Sequence, residues 1–399
     1  MTTKANKKLS KKELSQYLKE YGFLWGPETN PYGVEGFMSY GPNGKEIKNK
    51  IEEIIKRVFK EEDFSEIETP VFFPEEVYKN TGHLANFKDE LFCLKTSDGK
   101  KLVGRPEIAS TIHSLYKQLL RLNGNKLPIK IFQSGLVLPN DRQTEWQLRT
   151  RQYTGHEGHI FYQKEKFIEK EVISNLQNLA IRIMTAIGLD EKMLNFREKT
   201  GKEKPFYAKG AYGLYIDLFG KELELLGIQY RSDYDFKKLT KLKLKDLPEV
   251  FEISFSTDRP FYAIMANSVH KRADDSILLT LPPQLQIYEM AVFNVDKEQD
   301  CEQKVTDIQS ILKDKGIRIW ASDTGTIGQK FKRADALGIP ISLSISQKDL
   351  KSKECLLRAS DNKTQIAIPV EKLADLAKKL KSNQIFTRIK ASDIAATKE

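Results

Sequence analysis

The stretch Gly104-Arg105-Pro106-Glu107, followed by Lys126-Leu-Pro-Ile-Lys-Ile-Phe-Gln-Ser-Gly135, Leu136-Val-Leu-Pro139-Asn-Asp141 and Leu148-Arg149-Thr-Arg151-Gln-Tyr153-Thr, decides how this chain is read. Ile129 to Leu138 is rich in β-branched and aromatic residues, which predicts a strand. The polar loop after it predicts a return strand from Gln147 to about Tyr162. A helix is expected before the hairpin, from Glu107 to Leu122. Helix and antiparallel hairpin in one module imply an α+β fold.

Upstream, Ile47, Ile51, Ile54, Ile55, Val58 and Phe59 recur at helical spacing between Lys45 and Lys60. Ile67-Glu-Thr-Pro70-Val-Phe-Phe reads as a short strand whose proline suits an edge or an interface. Downstream, a helix is expected over about Glu165 to Ile187, an irregular segment to Gly220, and strands at Leu223 to Ile228 and Glu252 to Phe255. Five lysines between Lys237 and Lys245 read as a solvated insertion or a phosphate-facing loop.

The pattern changes near Leu281-Pro282-Pro283. Strands at Ile287 to Val295, Ile317 to Ala321 and Ile339 to Ile345 alternate with helices at Glu302 to Lys313 and Gly328 to Ala336. Strands at Cys355 to Arg358 and Ile366 to Pro369 and a closing helix, Glu371 to Leu380, complete an α/β module with a mixed, largely parallel sheet. The expected divisions are a basic tail over 1–20, a first domain over 21–284, a second over 285–382 and a tail over 383–399.

With 399 residues the chain exceeds one ordinary domain. No apolar run approaches the roughly 18 residues of a membrane span, so no membrane partner is expected. Sixty-five Lys and Arg against 55 Asp and Glu leave a charge of +10, which favours polyanion partners. Cys93, Cys301 and Cys355 lie far apart, so neither disulfides nor a Cys-x-x-Cys zinc site is expected, and a reducing, cytoplasmic setting fits. His83, His113, His156, His159 and His270 form no metal or triad spacing, and His156 and His159 read as hairpin residues rather than ligands.

The order of these segments from about Tyr21 to Leu380 resembles glycyl-tRNA synthetase, a class II aminoacyl-tRNA synthetase. The likeness includes Gly22-Phe-Leu-Trp25, Tyr40-Gly-Pro-x-Gly44, Thr81-Gly-His83, Arg105-Pro-Glu107, Arg149-x-x-x-Tyr153, Glu222-x-Glu224-x-x-Gly227 through Arg231 and Asp235, and Glu252-Ile-Ser254-x-Ser256-x-Asp258-Arg259. It implies an antiparallel-sheet catalytic domain followed by an anticodon-binding domain. The implied activity is ATP-dependent attachment of glycine to tRNA through an adenylate, in a homodimer built on the first signature motif near Ile67 to Pro70.

Residue by residue, the likeness implies ATP contacts from Arg149, Tyr153 and Arg259. Glu107, Glu157, Arg231, Glu252 and Ser254 would hold the amino acid, Glu224 would hold magnesium, and Lys330, Phe331, Lys332, Arg333 and Arg358 would meet RNA. The chain also departs from the pattern. The arginine expected to hold the α-phosphate is replaced within Pro139-Asn140-Asp141, and Ser256 stands for a glycine. Gly210, Gly213 and Tyr215 stand for acids, and Gln152 for a glutamate. Two readings stay open: an enzyme whose activity is retained or lost, and an inactive paralogue acting as a nucleic-acid-binding accessory factor, as the accessory subunit of mitochondrial DNA polymerase does. That factor would bind tRNA or another structured nucleic acid.

Overall fold

A computed structural model describes residues 7–375 except 88, 89, 323, 353, 361, 362, 364 and 374. The expected tail over 383–399 and the end of the helix expected to run to Leu380 lie outside the described residues. The chain forms two compact units: one takes 24–41 and 48–263, the other 1–23, 42–47 and 264–399.

The first unit is built on a seven-stranded sheet. Its order is Leu194–Glu198, Gly210–Leu218, Lys221–Ser232, Glu249–Ser256, Tyr153–Tyr162, Ile129–Val137 and Ser65–Glu66. Every neighbouring pair is antiparallel except the last. The hairpin read from the opening stretch is its centre, with Gln133 opposite Glu157 and Gly135 opposite Gly155. Phe59 stacks on Phe132 at 4.8 Å between ring centroids. A Cβ at Gly158 would stand 2.6 Å from the Phe59 ring, so this strand takes glycine where that ring lies against it.

Two expectations are corrected here. The helix expected from Glu107 to Leu122 is two pieces, Ala109–His113 and Tyr116–Leu122. The Thr111 hydroxyl donates to the Ile108 carbonyl, and the Ser114 hydroxyl to that of Thr111, so side chains compete with the helical ladder. The segment before Gly220, expected to be irregular, supplies strands Leu194–Glu198 and Gly210–Leu218. The two glycines of Gly210–Leu218 weaken its local strand signal, and pairing with Lys221–Ser232 outweighs it; the five-residue strand Leu194–Glu198 in turn pairs with Gly210–Leu218. At Gly213 the missing side chain leaves room for the Tyr215 ring, over which the Arg197 guanidinium lies at 4.2 Å.

In the second unit the five-stranded sheet runs Ile319–Ala321, Met290–Asn294, Ile341–Ile345, Glu354–Ala359, Gln365–Pro369. Two pairings are parallel and two antiparallel, so the sheet is mixed as expected, with a smaller parallel share than the strand–helix alternation implied. Met290, Val292, Ile308, Leu312, Ile341 and Leu343 are among the buried residues of its core.

Residues 11–20 are not a solvated tail. Lys11–Glu20 is a helix with a capping box, in which the Ser10 hydroxyl accepts from Glu13 N–H and the Ser10 N–H donates to the Glu13 carboxylate. Leu14, Tyr17 and Leu18 are buried, and the Tyr17 hydroxyl donates to the Ala336 carbonyl at 2.6 Å. Lys11 and Lys12 are exposed on this amphipathic helix, and Lys7–Lys8 pair as a short strand with His270 and Lys271.

Candidate active site

Strand alternation puts Tyr153, Gly155, Glu157 and His159 on one face of the hairpin. Register brings Ser254 opposite Glu157, Glu252 opposite His159 and Gln229 opposite Glu252. Above that face lies a cavity of about 510 Å³. Glu107, Arg149, Tyr153, Glu157, Glu224, Glu252, Ser254 and Arg259 all line it. The resemblance therefore gathers eight residues from four separate segments into one place. His83, Gln147, Tyr207 and Asp258 line it as well; of these His83 and Asp258 lay in motifs quoted above, and neither was given a role.

Arg231 does not line the cavity. It is fully buried and donates to Asp235 at 2.8 and 3.0 Å, to Glu252 at 2.8 Å and to Glu107 at 3.3 and 3.4 Å, with the Tyr207 ring over its guanidinium at 3.9 Å. The expected substrate contact is corrected: its donors are spent on three carboxylates, which it positions. Burial alone would raise the Glu107 carboxyl. Arg231 and His83, the latter 3.2 Å away, instead hold it well below the usual carboxylate range. Burial keeps Glu252 above its ordinary value despite Arg231.

Arg105 is also buried. It donates to the Leu136 carbonyl at 2.7 Å and to Thr69 at 3.0 Å, tying the turn before Glu107 to the hairpin. Glu157 accepts from the Ile108 N–H at 2.9 Å. His156 bonds Ser134 and Thr257, each at 2.8 Å, and burial pushes its imidazole down to about 3, so it is a neutral interior group. Asp258 accepts from the Tyr40 hydroxyl at 2.7 Å, and burial raises its carboxyl to about 6.

The cations are few. Arg259 is anchored by the carbonyls of Leu148 at 3.2 Å and Glu224 at 2.9 Å. Arg149 is bound to Asp141. Pro139, at the end of the strand, offers no charge. Among the described residues the lining holds seven carboxylate residues and two arginines. Glu224, expected to hold magnesium, lines the cavity with one carboxylate oxygen ion-paired to the Lys199 ammonium. A triphosphate with its magnesium fits this lining poorly: one arginine is neutralised, and the remaining charge is negative.

In the second unit the expected RNA-facing set divides. Lys332 and Arg333 are exposed on helix Ile327–Ala336, whose first turn is closed by a Thr326/Gln329 capping box. Lys330 is buried, with its ammonium on the Asn294 carbonyl and side chain at 3.2 and 3.0 Å. Arg358 is buried in a two-point bond with Asp335, both contacts at 2.8 Å, and Arg272 shares that carboxylate at 2.7 Å. Phe331 packs on Phe293 at 5.2 Å and on the Arg358 guanidinium at 4.7 Å. Lys330, Phe331 and Arg358 thus hold the unit together, and the expectation that they face RNA is corrected.

A family model described as an anticodon binding domain matches residues 289–380. The glycine–tRNA ligases of Thermococcus sibiricus and Pyrococcus furiosus are each 22% identical over 92% of this chain and 98% of their own length. That of Mycoplasmopsis synoviae is 23% identical over 88% of this chain and 96% of its own. The Thermococcus alignment runs over 558 positions. That exceeds the 399 residues here, so the relative carries inserted segments this chain lacks. The structure of prolyl-tRNA synthetase from Cryptosporidium parvum, complexed with halofuginone and AMPPNP, superposes with a TM-score of 0.73 at 16% identity, covering 94% of this chain and 78% of that one. The fold is that of the class II aminoacyl-tRNA synthetases, and along most of its length the sequence is similar to the glycine–tRNA ligases.

Proposed function

We propose that this protein binds tRNA through its carboxy-terminal unit and an amino acid through the acidic wall of its cavity, and that it forms aminoacyl adenylate slowly or not at all. The observation that carries this reading is the charge of the lining, in which seven carboxylate residues stand against Arg259 and an Arg149 already paired with Asp141. Joining a carboxylate to the α-phosphate of ATP requires fixed positive charge aimed at the reacting phosphorus. Losing one such preorganised group typically costs about 2.7–4 kcal/mol of transition-state stabilisation. Carboxylates suit an amino-acid ammonium instead, and the relatives named glycine–tRNA ligase favour glycine as that amino acid.

Glycine-dependent exchange of pyrophosphate into ATP tests the reading. Exchange should be roughly 100-fold or more below that of a working synthetase and should rise in Pro139→Arg with Ser256→Gly. Robust exchange by the unaltered protein would sink the proposal. It would favour full charging of glycine tRNA, a second reading supported by Arg259, which two carbonyls fix at the cavity wall. The strand expected from Ile67 falls instead at Ser65–Glu66 and Phe72–Pro74, and in either reading the proline-bearing link between them suits a two-fold dimer. Sedimentation should then report about twice the 45.8 kDa chain mass, and a monomer at micromolar concentration would count against assembly. No described helix is long and apolar enough to cross a membrane, and a cytoplasmic protein acting on tRNA is the setting this reading assumes.

A further inference from the structure

The five lysines between Lys237 and Lys245 are an anchored loop, and the cavity makes no use of them. The chain leaves strand Lys221–Ser232 through the short helix Tyr234–Lys238 and the 3₁₀ turn Thr240–Leu242, then enters strand Glu249–Ser256. Leu242, Leu244 and Leu247 pack on a core that includes Tyr116, Leu119, Phe161 and Phe236. Lys241, Lys243 and Lys245, next to those leucines, are exposed. Lys243 takes a left-handed backbone conformation, φ 47°, which a residue with a Cβ adopts reluctantly. The leucines on either side hold it there. Burial, with the charge of Asp246, pushes the Tyr116 phenol up to about 12, which sets the end of the loop beside helix Tyr116–Leu122. At its base the Tyr234 hydroxyl donates to the Thr81 carbonyl at 3.2 Å, two residues before His83 in the cavity wall.

The charges on this loop are only partly met. Lys237 pairs with Asp233 at 2.7 Å and Lys241 with Glu76 at 2.6 Å. Lys238 lies 5.9 Å above the Tyr234 ring. Lys238, Lys243 and Lys245 take part in no ion pair among the described residues. Lys79, one turn from Glu76 on helix Glu75–Asn80, adds a sixth exposed cation next to the Lys241 partner. Against them the segment from Lys237 to Leu247 sets a single acid, Asp246. The chain carries +10 although its cavity is lined mainly by carboxylates. Its positive excess therefore lies outside the cavity, and this loop concentrates a large part of it.

We propose that the Lys237–Lys245 loop is a docking surface for the sugar-phosphate backbone of structured RNA, carried by the first unit rather than the carboxy-terminal one. The choice of RNA rests on the tRNA-binding reading above. Exposed ammonium groups are point charges with three donors each, which suit phosphate oxygens. Neutralising those phosphates releases their counterions, the main source of affinity for a basic surface. The loop presents lysines and no exposed aromatic or arginine, so it holds the backbone without reading bases. A solvated face needs neither the leucine anchors nor a strained lysine. A surface that must keep its charges at fixed places along a backbone needs both.

The test uses the full chain and a short RNA hairpin that carries no anticodon. The unaltered protein should bind it. Changing Lys238, Lys243 and Lys245 together to alanine should weaken binding roughly 10-fold or more at low salt and flatten the slope of log affinity against log salt by roughly 2.1–2.7, at about 0.7–0.9 per phosphate. Thermal melts of this variant verify folding. Removing Lys164, Lys166 and Lys170, exposed lysines of the same unit, takes away the same charge and should cost less than about 2-fold. If the loop variant does not fold, acetylation of the unaltered protein decides: RNA should protect Lys243 and Lys245, and labelling unchanged by RNA overturns the surface. No binding of the hairpin, or equal losses in the two triple variants, overturns it as well. So does binding to anionic phospholipid vesicles that the loop variant loses while its RNA binding is unchanged. Whole glycine tRNA separates the two claims. If tRNA binds the loop variant and the unaltered protein alike, with one salt slope, the surface alone fails. If the hairpin binds and tRNA does not, the tRNA-binding reading alone fails.

Discussion

Arg149 donates from Nε and Nη2 to the two oxygens of Asp141, at 3.0 and 3.3 Å. The pair sits at the rim, half exposed on the arginine side, and so contributes little to stability. Its effect is on the cavity, where it neutralises one of only two arginines. Asp141→Ala should therefore leave the melting temperature nearly unchanged while tightening ATP binding roughly 3- to 10-fold, the scale of one ordinary net hydrogen bond of about 1 kcal/mol at this exposed rim. Isothermal titration with ATP measures it. An affinity equal to that of the unaltered protein would mean that Asp141 does not withhold Arg149 from nucleotide.

Arg231 makes the opposite prediction. Its partners Asp235, Glu252 and Glu107 converge on a guanidinium with no solvent access, and removing it leaves those carboxylates buried and unpaired. Breaking a buried ion pair by removing one partner costs about 3–5 kcal/mol. Arg231→Met should lower the urea unfolding free energy by at least that much. A loss under about 1 kcal/mol, accompanied by lost glycine binding, would return Arg231 to the role of a ligand contact.

The line between what could and could not be read from sequence follows the range of the physical signal. The hairpin over Ile129–Val137 and Tyr153–Tyr162, the helix Pro42–Glu61 and the alternation after residue 284 were legible because their periodicity is local. Strands Leu194–Glu198 and Gly210–Leu218 were not, since the first is only five residues long, the second carries two glycines, and pairing with a later segment fixes each. In the cavity, residue types along motifs identified what lines it. They could not reveal that Arg231 is sealed below, that Lys199 is ion-paired to Glu224, or that Arg358 and Lys330 are interior, because each depends on a partner distant in sequence. His159 stands in the hairpin as expected, and only the fold brings His113 behind it and Glu157 in front.

Asp258 yields a pH dependence. Burial raises its carboxyl from the ordinary 3.8 to about 6. The folded protein therefore holds a proton that the unfolded chain has released between those values. Below about pH 4 both states are protonated and the residue costs nothing. As pH rises to about 6 folding is increasingly disfavoured, and above that the cost levels off at roughly 3 kcal/mol. Asp258→Asn keeps an acceptor for the Tyr40 hydroxyl and removes the titration. The stability of the variant relative to the unaltered protein should climb between pH 4 and 6 and be flat from 7 to 8. A difference independent of pH would show that Asp258 titrates normally.

The last prediction separates contact from scaffold in the carboxy-terminal unit. Lys332 and Arg333 are exposed on helix Ile327–Ala336, whereas Lys330 and Arg358 are bound to Asn294 and Asp335. Each exposed cation that meets a phosphate releases counterions worth about 0.7–0.9 in the slope of log affinity against log salt. Changing Lys332 and Arg333 together to alanine should weaken tRNA binding and flatten that slope by roughly 1.4–1.8, with the melting temperature unaltered. Arg358→Ala should lower the melting temperature instead, because it strands Asp335 beside Arg272 alone. Filter binding with glycine tRNA, a tRNA of unrelated anticodon and duplex DNA makes the outcome specific. A greater loss for glycine tRNA supports anticodon reading. Equal losses on all three would mark a sequence-blind polyanion surface and move the function toward an accessory nucleic-acid-binding factor.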